Sequence, residues 1–519
     1  MVLESLTAKA LCLGLALFGL RILITFLTSP LKSFPGPFWA KFTDLWRLWD
    51  YWKTTQIQSH QELHKKLGPA VRIGPNMISL SDPGLLKAVY STRGNFVKSN
   101  FYEVADAMSN GMRLENVFST RSNAFHGRYM KPYQKFFSMN TILEKEHLAD
   151  KMVLLLCEQL ENRFVKGNNK GKIADLADWI EYCAWDLDWE VTFSEDMGFL
   201  KSGTDVKNTI HIGESIMRYL GCIGQMPCLD RLLGKNIYCP IKFATFEHAA
   251  AYSYQRVIER AAKQEVRPRK DFLDNFLEAK QLFPDIVTNN EVVSYLMMNV
   301  LAGADTTAIV QKSITYNILK HPNVLAKLRE ELDATNLSFP PAYAETKDLP
   351  YLNAVIKEGQ RMHPVIGGIL ERVVPSGGLT LPDGRFIAPG TKIGINPWVS
   401  SRNTQIYGSD AEIYRPERWL KAKDETDDAY TARLKMMKDA DFTFGSGNRI
   451  CIGRNLATVE LHKMTSTLFS RFDIELDPED NVWAPRWWWF TFVDNIKVKI
   501  QHRQNTSPVA SSWDVSFMH

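Results

Sequence analysis

The chain has 519 residues, and its 62 Lys and Arg against 58 Asp and Glu leave a net charge of +4. So even a balance gives no electrostatic footprint for nucleic acid. The seven cysteines run from Cys12 to Cys451 with neither zinc spacing nor a disulfide framework, which suits a reducing compartment. No internal repeat or linker divides the length, so it reads as one large domain with a short anchor.

From Leu6 to Leu27 the chain is apolar apart from Thr7, Lys9, Arg21 and Thr25. As a helix this stretch would span about 33 Å, close to the hydrocarbon thickness of a bilayer. A signal peptide is the competing reading, with Ala10–Leu20 as its apolar core. No small-residue cleavage site follows it; instead comes Pro30-Leu-Lys-Ser-Phe-Pro-Gly-Pro37, which reads as a stiff linker. The sequence therefore predicts a transmembrane anchor over 1–29, with Arg21 snorkelling, a Pro-rich linker over 30–37, a catalytic domain over 38–500 and a polar tail over 501–519. Lys32, Lys41 and Arg47 just past the anchor favour a cytoplasmic main body.

Residues 68–80 alternate between turn signals and read as a β-hairpin. His126 to Ser138 predicts a helix interrupted by Pro132, and 143–279 is largely helical by pattern. Thr288-Asn-Asn-Glu291 is a capping box, in which hydroxyl and carboxylate satisfy each other's free N–H groups. The helix behind it should run to about Lys320, where His321-Pro322 stops it, for a length of about 48 Å. At its middle sits Ala302-Gly-Ala-Asp-Thr-Thr307. Gly, Asp and Thr each cost about 0.5–1 kcal/mol relative to Ala in a helix interior, and Thr and Asp can bond the backbone and open the ladder.

Glu358 and Arg361, three apart, share one helix face, and Pro416-Glu-Arg-Trp419 follows. Between them, 372–375, 381–384 and 387–394 read as short strands with tight turns, and Trp483–Phe492 as an aromatic strand pair.

The chemistry centres on Phe442–Leu461. Gly445 and Gly447 permit a tight loop that feeds a helix N-terminus, with Cys451 at the junction. Free backbone N–H groups and the helix dipole there would stabilise a thiolate, a natural metal ligand. Alone, a cysteine is more often an ordinary buried residue. The pattern Phe444-Gly445-x-Gly447-x-Arg449-x-Cys451-x-Gly453 fixes six positions, and its chance occurrence in a chain of this length is on the order of one in 10⁵.

That pattern resembles the haem-binding loop of the cytochrome P-450 monooxygenases. Ala302–Thr307, Glu358-x-x-Arg361 and the Arg418 segment follow the order of that family's other motifs, over about residues 34–500. Residues 34–37, 68–80 and 96–102 are similar to the fungal microsomal branch, pisatin demethylase-like enzymes in particular. The resemblance implies a mainly α fold with small β-sheets. Haem b (iron protoporphyrin IX) would lie between the Thr306 helix and the Cys451 loop, with Cys451 as axial ligand to its iron. It also implies haem contacts from Phe444 and propionate contacts from Arg449, Arg372, His126 and Arg128, with Met130 standing where an arginine is common. Asp305 and Thr306 would deliver protons to reduced dioxygen, and Glu358, Arg361 and Arg418 would form a buried structural network. The implied reaction inserts one atom of dioxygen into a small lipophilic substrate, such as a secondary metabolite. NADPH electrons would arrive through NADPH-cytochrome P-450 reductase, with cytochrome b5 as a second donor, at the endoplasmic reticulum membrane on a single-pass anchor. Other readings are a haem-thiolate isomerase or dehydratase, a non-catalytic haem carrier or sensor, and a detoxifying hydroxylase of aromatic compounds.

Overall fold

The computed structural model of the chain describes residues 13–503, apart from 15, 17–18, 21–22, 25, 110–111, 168–169, 264–269 and 481–482. Residues 1–12 of the expected anchor and 504–519 of the expected tail lie outside the described residues. The described anchor positions up to Thr28 are helical, and Leu13, Leu20, Leu23, Ile24 and Leu27 are half or more exposed.

Helices dominate, and the small sheets stand at the edges of the helical body. The hairpin forms as its turn signals predict: Ala70–Gly74 pairs antiparallel with Met77–Leu80. Lys392–Ile395 then adds parallel to Met77–Leu80, followed by Arg372–Val373 and Val97–Lys98. This register sets Lys98 directly opposite Arg372. A second sheet joins Phe472–Leu476, Lys497–His502 and Ala174–Asp175, so the ordered strand carries the domain two residues past its expected end. Ala484–Trp487 and Thr491–Asp494 make the expected aromatic hairpin.

The capping box forms as read: Thr288 N–H donates to Glu291 Oε2 at 2.8 Å, and Thr288 Oγ1 accepts from Asn290 N. The helix behind it runs as Asn289–Ala302 and Ala304–Lys320, broken at Gly303. Among the described residues this 32-residue span alone is long and apolar enough to cross a membrane, yet 78% of its apolar window is buried. It is the core helix. Leu176–Phe193, Pro350–Met362 and Arg454–Arg471 pack on it, and Glu146–Leu160 packs on the first and last of these, all sharing one apolar cluster.

Residues 30–37, expected as a stiff linker, lie against the domain: Leu31 and Phe34 are buried in one apolar cluster with Ile78, Leu80 and Ile393 of the first sheet. Arg72 N–H donates to Pro35 O at 2.7 Å. The Pro-Gly turn bends the chain back so that two apolar side chains reach the sheet, and their burial is worth about 1.5–3 kcal/mol each.

Candidate active site

The cysteine loop folds as its glycines dictate. Gly447 has φ +68°, and a Cβ there would stand 2.0 Å from Tyr90 O, so only glycine fits. Cys451 N–H donates to Phe444 O at 2.8 Å, which folds the loop back on itself before the Arg454–Arg471 helix begins. Phe444 thus holds the loop through its carbonyl. The Cys451 side chain is exposed, although enough protein surrounds it for burial to act on its thiol.

The backbone N–H groups of Gly453 and Arg454 reach the Cys451 sulfur, as a helix N-terminus should. Burial raises the thiol, and it outweighs those amides and the Arg454 guanidinium. The helix end aims hydrogen bonds at the sulfur, and a bound cation would further favour its ionised form.

Beside this loop lies a cluster of cations. Arg449 donates to Ser122 O and Asn123 Oδ1, both at 3.2 Å, while its buried Nε has no partner. Arg372 is buried, donating to Glu371 O at 3.0 Å beneath the Tyr90 ring. Lys98 is buried over the Tyr102 and Phe118 rings and donates to Phe118 O. No carboxylate among the described residues forms an ion pair with any of the three. Burial and the Arg372 charge bring Arg449 down to about 10. Burial, then Arg372 and Arg449, hold Lys98 well below its usual range. His126 is pushed down to about 3 by burial and by Arg449 and Lys98. Three cations facing each other, two of them directly across a sheet, are unfavourable unless an anion sits among them. Arg128 does not join them: it is exposed and donates to Asp285 O at 3.0 Å. Two residues are about half a helical turn, so the two side chains leave opposite faces of the helix. Lys98 was not singled out from the sequence, because only the strand register brings it to Arg372.

On the core helix, Thr306 Oγ1 donates to Ala302 O at 2.6 Å, taking over the carbonyl at the Gly303 break. Ala302 and Thr306 keep partial exposure there, whereas Asp305 is buried. A Cβ at Gly303 would meet Asp188 Oδ1 at 2.0 Å, so the break lets that carboxyl approach the helix backbone. Asp305 points to the other side and accepts from Trp185 Nε1 at 2.9 Å. Asp305 and Thr306 are therefore adjacent in sequence but hydrogen-bonded to different neighbours.

Arg361 grips Glu358 with two bonds, 2.9 and 2.7 Å, and Arg418 Nε donates to the same carboxylate at 2.8 Å. Trp419 Nε1 and Arg415 N–H complete it, both at 2.9 Å. Burial would raise Glu358, but Arg361 and Arg418 outweigh it and hold the carboxyl below its usual range. These three residues meet as a unit.

An exposed cysteine on a loop whose Arg449 faces Arg372 and Lys98 fits a group that carries one metal and two carboxylates, and haem is such a group. The fold and this site together define a haem-dependent oxidoreductase. The family model described as Cytochrome P-450 matches residues 35–499, and the chain belongs to that family. It is 33% identical over 488 residues to cytochrome P-450 monooxygenase cfoH of Aspergillus candidus, covering 93% of this chain and 91% of that one. It is 36% identical over 473 residues to a cytochrome P-450 monooxygenase of Aspergillus terreus, covering 88% and 93%. With cytochrome P-450 monooxygenase pkfB of Emericella nidulans it shares 34% over 494 residues, covering 92% and 93%. The protein is a haem monooxygenase of the fungal kind.

Proposed function

We propose that Cys451 ligates the haem iron and that Arg449, Arg372, Lys98 and His126 hold its propionates. The observation that carries this reading is one loop presenting both an open thiol and the orphaned Arg449 Nε. When bound, haem supplies dioxygen activation and the oxidising equivalent. The chain's residues do the rest. Gly453 and Arg454 amides fix the sulfur, and the Glu358–Arg361–Arg418 unit ties the Pro350–Met362 helix to the segment leading into the loop. Thr306 offers a hydroxyl at the open side of the helix break, where a proton is held for the reacting oxygen. A buried aromatic cluster that includes Phe101, Tyr102 and Trp489, with ring centroids 4.7 Å apart for Phe101 and Trp489, would serve as a wall that excludes water. Such a wall takes a small lipophilic substrate, and the resemblance to fungal enzymes supports a secondary metabolite over a detoxified aromatic.

Electrons would come from NADPH through a separate reductase, with cytochrome b5 as second donor, and residues 1–29 would anchor the protein in the endoplasmic reticulum membrane. The deciding measurement is the reduced carbonyl spectrum. Cys451→Ala is expected to lose the strongly red-shifted Soret band of a thiolate-ligated haem while the protein remains folded. Retention of that band in the Ala variant removes Cys451 as ligand.

A further inference from the structure

Asp305 is not alone where it points. The Trp185 indole N–H donates to Asp305 Oδ1 at 2.9 Å and to Glu181 Oε1 at 3.2 Å, bridging two carboxyl groups. All three side chains are buried. Lys312, also buried, donates to Glu181 Oε2 and to Val493 O, the latter at 3.0 Å. Its Nζ lies 3.9 Å from Asp494, which is 37% exposed. Asp494 in turn pairs with Arg486 at 2.7 Å, and Arg486 with Glu214 at 3.1 Å, at the surface. A continuous line of ionisable groups thus leads from solvent to Asp305.

Two buried carboxyl groups beside a single ammonium cannot both be charged at low cost, so one of them carries a proton. Burial and Glu181 raise Asp305 well above the usual carboxylate range, over the opposing effects of Trp185 and Lys312. The ammonium of Lys312 bonds to Glu181, which places the shared proton on Asp305, the member without it. The Asp305 carboxyl sits on the Leu176–Phe193 side of the core helix, close to Gly213 of Thr209–Ile223. A proton leaving it for the Thr306 side must be replaced from behind.

We propose that Glu181 is the proton partner of Asp305, and that Lys312 and Asp494 connect this pair to solvent. This rests on the reading of Thr306 as the proton-holding hydroxyl. For each proton that Asp305 releases toward the Thr306 side, Glu181 passes one to Asp305. Lys312 hands one to Glu181 and recovers it from Asp494, which takes it from water. The net transfer is one proton from bulk solvent, with no change in the charge of the line. Glu181 touches neither substrate nor haem and acts through Asp305 as a positioning residue.

Two readouts test this on the full chain with haem bound. The first is the infrared band of the protonated carboxyl in the resting protein, assigned to Asp305 by its loss in Asp305→Asn. Glu181→Gln is expected to move that band, and a band left in place overturns the pairing. The second uses NADPH, dioxygen and a fungal NADPH-cytochrome P-450 reductase, reading the share of electrons that leaves as hydrogen peroxide and the solvent deuterium isotope effect. Glu181→Gln is expected to raise the peroxide share about tenfold, short of the 10²–10⁴ lost with a group that transfers the proton directly, and to enlarge the isotope effect. Glu181→Asp keeps the acid one methylene further back and should lie between the two. If Glu181→Gln does not incorporate haem, the Asp variant decides, and an isotope effect equal to that of the unaltered chain overturns the proposal. Thr306→Val run in parallel separates the two ideas. A rise in peroxide with Thr306→Val but none with Glu181→Gln removes only Glu181; no rise with either removes the Thr306 reading itself.

Discussion

Thr306 donates its hydroxyl to the carbonyl that a continuous helix would have given to a backbone N–H. That single bond does two things: it holds the ladder open at Gly303 and keeps a hydroxyl at the accessible side of the break. Thr306→Val preserves volume and branching and removes only the O–H. Losing general acid participation typically costs 10²–10⁴-fold, or about 3–5 kcal/mol of barrier. With haem and substrate binding unchanged, NADPH consumption should continue while product per NADPH falls. The ratio of product to NADPH measures this, and an unchanged ratio leaves Thr306 as a residue that merely opens the helix. The motif that marked Asp305 and Thr306 as a pair was legible in six consecutive letters. That the two bond to different neighbours was not, because the partner of Asp305 is Trp185, on a separate helix far back in the chain.

At the scale of elements, the stretch 30–37 shows how a docked segment hides in a sequence. Its four prolines and glycines announce a turn-rich connector, and only two apolar residues, Leu31 and Phe34, say otherwise. Their burial depends on a sheet assembled from residues 70–80 and 392–395. A chain beginning at Pro30 keeps both side chains and the Pro35 carbonyl that Arg72 needs. It should retain the haem spectrum and thermal midpoint of the full chain while leaving the membrane fraction. A chain beginning at Trp39 loses about 3–6 kcal/mol of apolar burial, so its thermal midpoint should fall steeply. Equal midpoints for the two truncations count against a structural role for 30–37. Elsewhere local signals sufficed: the capping box at Thr288, the stop at His321-Pro322 and the hairpin at 70–80 are each set by residues within a few positions of one another. The cation cluster needed more, since Lys98 meets Arg372 only through pairing of distant strands. Arg128 was assigned from its place in a motif, and the turn of its helix carries it to the surface.

Across the whole molecule, the helices 176–193, 289–320 and 454–471 cross at a second pair of buried acids, Asp188 and Glu460. Burial pushes Glu460 up to about 7, opposed only by its bond with Thr307. Burial and the nearby Glu460 raise Asp188 well above its usual range, and Asp188 Oδ2 has no partner. The sign of the resulting pH dependence follows from proton counting. Below about pH 4.5 both folded and unfolded states hold the Glu460 proton, so the group costs nothing. As pH rises toward 7 the unfolded chain releases that proton and the folded protein keeps it, so stability falls by about 1.4 kcal/mol per unit, roughly 3 kcal/mol in all. Above 7 the loss levels off. Carboxylates held below their usual range, such as Glu358, act in the opposite sense and protect the fold only while they stay ionised. Glu460→Gln removes the titration, retains an amide able to meet Thr307, and relieves the charge that Asp188 faces. In the haem-loaded protein its unfolding midpoint should therefore decline less than that of the unaltered chain between about pH 5 and 7. Near pH 4.5 the two should be close, and by pH 7 the variant should be the more stable. Parallel curves over that range would mean that Glu460 is already ionised in the folded state, its charge met by the three-helix crossing after all.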